Sequence, residues 1–132
     1  MKHDLFTLTT GNHINFLIEG EVFYDSFLKL IREAKKEIHL QTYIFEMDLY
    51  GYAVQKELIG AALRGVDVYL LVDRFGSMNL TNQFIRELRD AGVNFCQFNP
   101  IQFKWLGKFG RRLHHKILLV DQLRSLVSGI NL

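Results

Sequence analysis

Three apolar runs of strand length are spaced along the chain, with helix-patterned segments between them. EIHLQTYIF (37–45) alternates with a period of two, and Ile38, Leu40, Thr42 and Ile44 share a face. VDVYLLVD (66–73) and VNFCQF (93–98) are the next two strands. Between them, Asp48 can cap a helix running to about Arg64, with Gly65 as its stop. A second helix runs from Leu80 to Ala91, with Asn79 as the expected cap and Gly92 as its end. Upstream, Phe23, Phe27, Leu30, Ile31 and Ala34 line one face of a helix over 21–35. HINFLIEG (13–20) reads as a short strand before it. Strands that alternate with helices imply an α/β sheet with helices packed on it.

The end of the chain breaks that rhythm. Strands at 116–120 and 125–127 are too close for a crossover helix, so they must pair as an antiparallel hairpin. The predicted fold is therefore α/β, a mixed sheet flanked by helices, in one domain over 1–132. The chain stops at SGINL, directly after an apolar strand. It is expected to be C-terminally truncated, a fragment of a longer protein.

Composition supports a folded core: 48% hydrophobic and 23% charged residues, with eleven Phe, five Tyr and one Trp. Net charge is only +2, so any attraction to phosphate is local. No apolar run approaches the roughly 20 residues needed to span a bilayer. The single cysteine, Cys96, cannot form an internal disulfide and is expected to be a buried, inert thiol. No His, Cys and acid set shows metal-ligand spacing, so no metal or other cofactor is expected.

The stretch HHKILLVD (114–121) carries the chemistry. Alternation puts His114 and Lys116 on one side of a strand and Asp121 on the other. A lysine beside an imidazole suits an anionic target. The ammonium stabilises developing charge, and the imidazole can attack phosphorus or move a proton. Asp121 is expected to anchor the hairpin turn and support the motif. The run ILLV is expected to be buried on both faces and to hold the pair rigidly. SGIN (128–131) reads as a tight turn from which Asn131 can return its amide to the same phosphate.

His114, Lys116 and Asp121 form the H-x-K-x4-D motif of the phospholipase D superfamily, and Asn131 falls at the family's G-G/S-x-N asparagine. LQTYIFEMDLYGYAVQKELIGAALRGVDVYLLVDRFGS and GNHINFLIEGEVFYDSFLKLI resemble the first half of a bacterial cardiolipin synthase. The resemblance implies a phospholipase D-like half-domain. It also implies a nucleophilic His114 that forms a phosphohistidine, with Lys116 and Asn131 holding the phosphate and no metal required. The substrate it implies is a phosphatidylglycerol-like phospholipid, met peripherally at the cytoplasmic face of the bacterial inner membrane. A second histidine would come from another half in a longer chain or from a homodimer partner, and this fragment alone is expected to be inactive. Ser128 replaces the first glycine of the family's turn.

The stretch KWLGKFGRRLHHK (104–116) holds five Lys or Arg, two His and no acid. Lys104, Trp105, Lys108, Arg111 and Arg112 are the expected contacts to phosphate or to an anionic membrane surface. The same residues also suit nucleic acid. Two alternatives therefore stand beside the synthase: a homodimeric phosphodiesterase or nuclease, and a non-catalytic domain that binds phosphate or membrane. Tyr43 is expected to pack in the core, and Asp73 to line the site rim or cap a turn.

Overall fold

The computed structural model describes residues 10–98 and 112–132. Eight elements follow one another: α1 (Gly20–Glu33), β1 (Glu37–Thr42), α2 (Leu49–Leu63), β2 (Asp67–Asp73), α3 (Asn82–Asp90), β3 (Asn94–Phe98), β4 (Ile117–Val120) and β5 (Arg124–Val127). The strands form one sheet in the order β3-β2-β1-β4-β5. β1, β2 and β3 run parallel, β4 is antiparallel to β1, and β5 is antiparallel to β4. The mixed α/β sheet with its terminal hairpin is the architecture expected from the spacing of the apolar runs.

The helices explain which face of the sheet is dry. α1 buries Phe23, Phe27 and Ile31, α2 buries Val54, Leu58 and Ala61, and α3 buries Phe84 and Leu88. These pack on Ile38, Leu40, Val68, Leu70, Leu118 and Val120 in one core. Each buried Val, Leu, Ile or Phe among them contributes roughly 1.5–3 kcal/mol. Residues of the other parity, including His39, Gln41, Tyr69 and Leu71, lie on the opposite face and line a shallow groove with Asn94 and Cys96. No described helix covers that side.

This one-sided covering corrects two expectations. Cys96 is exposed, because β3 turns Phe95 toward the helices and Cys96 away from them. In ILLV only Leu118 and Val120 are buried, and Ile117 and Leu119 are half-buried.

Three local differences have physical causes. Residues 13–20 form no strand: Ile14, Phe16 and Ile18 are exposed, and none of the five strands pairs with them. Apolar alternation makes a strand only where a neighbouring backbone completes its hydrogen bonds. β1 stops at Thr42 rather than Phe45, since its ladder with β4 ends at Gln41↔Ile117. The cap of α3 is Thr81, whose Oγ1 accepts the Phe84 N–H at 3.2 Å, while Asn79 donates to Glu46 instead. Asp48 caps α2 as expected, accepting the Gly51 N–H at 2.8 Å. Gly65 and Gly92 end their helices at φ +88° and +97°, the left-handed geometry that a helix stop favours.

Candidate active site

Parallel β1, β2 and β3 present their carboxyl ends at one edge of the sheet. In α/β sheets ligands bind at such an edge. Because β4 runs antiparallel to β1, its amino end lies there too, with Ile117 opposite Gln41. The residues just before β4, His114 to Lys116, therefore emerge beside Thr42 to Ile44.

A single ring joins the His114 and Lys116 side chains. The Tyr43 ring centroid lies 5.0 Å from that of His114, and the Lys116 Nζ lies 5.7 Å from the same Tyr43 ring. Lys116 also donates to the His114 carbonyl oxygen at 3.3 Å. His114 is exposed and Lys116 is half-buried. Both side chains lie in the extended segment just before β4 rather than within the strand, and the Tyr43 ring is their shared contact, which residue spacing does not reveal.

Asn131 returns to this edge. Its Oδ1 accepts the Ile44 N–H at 3.3 Å, and its carbonyl accepts the Tyr24 hydroxyl at 3.3 Å. The Leu132 N–H donates to Ile44 O, and the Glu46 N–H donates to Leu132 O at 2.8 Å. With Oδ1 engaged, the amide NH2 is the group that Asn131 can offer a ligand. Ser128, in the place of a glycine, closes the turn with its hydroxyl, donating to Ile130 O at 3.0 Å and accepting the Ile130 N–H at 3.1 Å.

Asp121 lies at the far end of β4, five residues beyond Lys116, or roughly 17 Å of extended chain at about 3.4 Å per residue. It adopts φ +55° in the hairpin turn, as does Gln122 at +56°. Its carboxylate accepts the N–H groups of Lys35, Lys36 and Glu37. It therefore ties the hairpin to the α1–β1 connection and takes no place beside His114. Burial pushes its carboxyl up, but the N–H groups of Lys36, Glu37 and Lys35 and the Arg124 charge outweigh that. The result is a pKa below the ordinary aspartate value.

Asp73 has a larger part than its end-of-strand position foretells. It is 1% exposed. Its Oδ1 accepts from Phe75 N and Gly76 N, and its Oδ2 accepts from Leu113 N at 3.0 Å. The only sequence signal was an acid closing an apolar strand. Arg112 lies with its guanidinium 4.2 Å from the Phe75 ring centroid. Lys104, Trp105, Lys108 and Arg111 lie outside the described residues. Among the described residues, no three His, Cys, Asp or Glu side chains gather as a metal-binding group. No described helix is long and apolar enough to cross a membrane.

Residues 27–132 match the family described as "Cardiolipin synthase, PLD-like domain". The chain belongs to this family. Among its relatives, cardiolipin synthase B of Shigella flexneri is 37% identical over 123 residues, which are 92% of this chain and 30% of that protein. A cardiolipin synthase of Oceanobacillus iheyensis is 34% identical over 131 residues, 99% of this chain and 27% of that protein. The chain thus spans less than a third of these relatives. The family fold is also seen in solved structures. The phospholipase D family member Nuc from Salmonella typhimurium aligns with a TM-score of 0.60 at 23% identity, covering 81% of this chain and 62% of that one. NucT from Helicobacter pylori aligns with a TM-score of 0.61 at 17% identity, covering 81% and 65%.

Proposed function

We propose that this chain is the first half of a two-motif phosphatidyltransferase that acts on a phosphatidylglycerol-like lipid. The observation that carries the reading is the placement of His114 and Lys116 on one tyrosine ring at the carboxyl edge of the parallel strands, with Asn131 held to the same edge through Ile44.

In this reading Lys116 and the Asn131 amide bind the non-bridging oxygens of the phosphodiester and stabilise the charge that grows on them. An imidazole nitrogen of His114 attacks phosphorus. The nitrogen–phosphorus bond forms as the bond to the leaving alcohol breaks, and that alcohol takes a proton from a second histidine. The acceptor lipid's hydroxyl then loses a proton to the second histidine and attacks phosphorus, releasing His114. The second histidine is supplied by another half in a longer chain or by a second copy. Arg112, with Lys104, Trp105, Lys108 and Arg111, holds the enzyme peripherally on an anionic membrane surface, at the cytoplasmic face of the inner membrane. Each cation near that surface contributes about 1 kcal/mol.

The test uses the intact protein and vesicles containing phosphatidylglycerol. Cardiolipin should form, a labelled phosphatidyl group should be trapped on residue 114, and His114→Ala should lower turnover at least about a thousandfold. Metal-independent cleavage of DNA with no reaction on lipid would replace this reading by a nuclease. Vesicle binding without turnover of either substrate would leave only a binding module.

A further inference from the structure

The turn after β2 reaches the His114 segment by three separate routes. Through Asp73, it holds the backbone N–H of Leu113, the residue directly before His114. Through Ser77 and Gly76, it seats Tyr43. The Ser77 hydroxyl donates to Tyr43 O at 3.3 Å and accepts the Phe45 N–H at 3.0 Å. Gly76 packs so closely that a Cβ there would collide with the Tyr43 carbonyl oxygen. Through Phe75, it carries the Arg112 guanidinium. The segment 112–114 and the ring beneath His114 thus rest on one short stretch, 73–77.

Asp73 closes this assembly at a cost. Among the described residues no Lys or Arg forms an ion pair with this buried carboxylate, and three backbone N–H groups carry its charge. An Asn or a Ser caps such a turn with less desolvation. A carboxylate does what they cannot: it accepts on both oxygens, from the turn on one and from Leu113 on the other.

We infer that Asp73 is a positioning residue for His114, acting through the Leu113 amide and through the turn that seats Tyr43. This rests on the reading of His114 as the nucleophile. An imidazole displaced by about 1 Å loses about a hundredfold in rate, so a tether one residue away is a sensitive control point.

Asp73→Asn in the intact protein is the test. An amide has one accepting oxygen, so an NH2 group must face either Leu113 N–H or the N–H pair of the turn. The expected result is a kcat lowered about 10- to 100-fold with KM changed less than about twofold. The NMR titration of the His114 ring should also move, while that of His39, stacked on Tyr69 at 4.7 Å on the open sheet face, should not. A folded Asp73→Asn protein with wild-type kcat and an unmoved His114 titration overturns the inference. Should Asp73→Asn not fold, Asp73→Ser carries the test, because a hydroxyl still caps the turn while giving up the second oxygen that holds the Leu113 N–H. A fall in kcat with a moved His114 titration is expected, and wild-type values of both overturn the inference. Turnover surviving in His114→Ala would instead sink the reading of His114 itself, whatever Asp73 does.

Discussion

The Asp121 carboxylate accepts the Lys36 N–H at 2.7 Å, joining residues 85 positions apart. The last member of the H-x-K-x4-D motif is therefore a clamp between the hairpin turn and the start of β1. Its chemistry is structural, and the first prediction follows from its depressed pKa.

A carboxyl whose pKa is lower in the folded state holds its proton less tightly there than when unfolded. Its stabilisation is complete above the unfolded value of about 3.9 and is lost as the pH falls through the lower folded value. Asp121→Asn keeps a residue type that tolerates φ > 0 and removes the charge. It should lower stability at pH 7 by about 1–2 kcal/mol. It should also flatten the fall in stability between pH 5 and pH 2 measured by urea unfolding. An unchanged acid limb would count against the clamp.

Tyr43 supports His114 and Lys116 through its ring, and among the described residues no hydrogen bond of its hydroxyl enters that support. Tyr43→Phe should therefore keep kcat within about twofold, since the aromatic face is retained. Tyr43→Leu should lower it about tenfold, the equivalent of roughly 1.4 kcal/mol. Steady-state kinetics on the two variants separates the ring from the hydroxyl.

Asn131→Asp tests the amide without disturbing the fold. The new side chain keeps an oxygen for the Ile44 N–H and replaces the donating NH2 with a second oxygen. The expected outcome is a melting temperature within a few degrees of wild type and activity at least about tenfold lower, because a carboxylate repels the phosphate that an amide attracts. Equal activity would remove Asn131 from the phosphate site.

Two glycines in α2 should respond in opposite directions to alanine. At Gly60 an added Cβ meets only the Arg64 Nη1 at 3.6 Å, an ordinary contact. Gly60→Ala should stabilise by about 0.5–1 kcal/mol through reduced unfolded-state freedom. At Gly51 a Cβ would collide with the Glu46 carbonyl oxygen, so Gly51→Ala should destabilise by about 1–3 kcal/mol. Thermal unfolding of the two proteins reads both signs.

Local pattern alone determined much of this protein. The period-two and period-3.6 runs specify strands and helices, because each residue's facing follows from backbone geometry within a few positions. The short link between β4 and β5 left only a hairpin. Only the tertiary structure decided which exposed backbones found partners. It left 13–20 without a ladder, turned Cys96 outward on the open face of the sheet, and sent Asp121 to Lys35–Glu37. It also brought Tyr43 and Asp73 to the His114 segment across some forty to seventy residues of chain. Such contacts depend on the order of strands in the sheet, which no local periodicity encodes, since every strand with a dry face satisfies the same pattern wherever it sits.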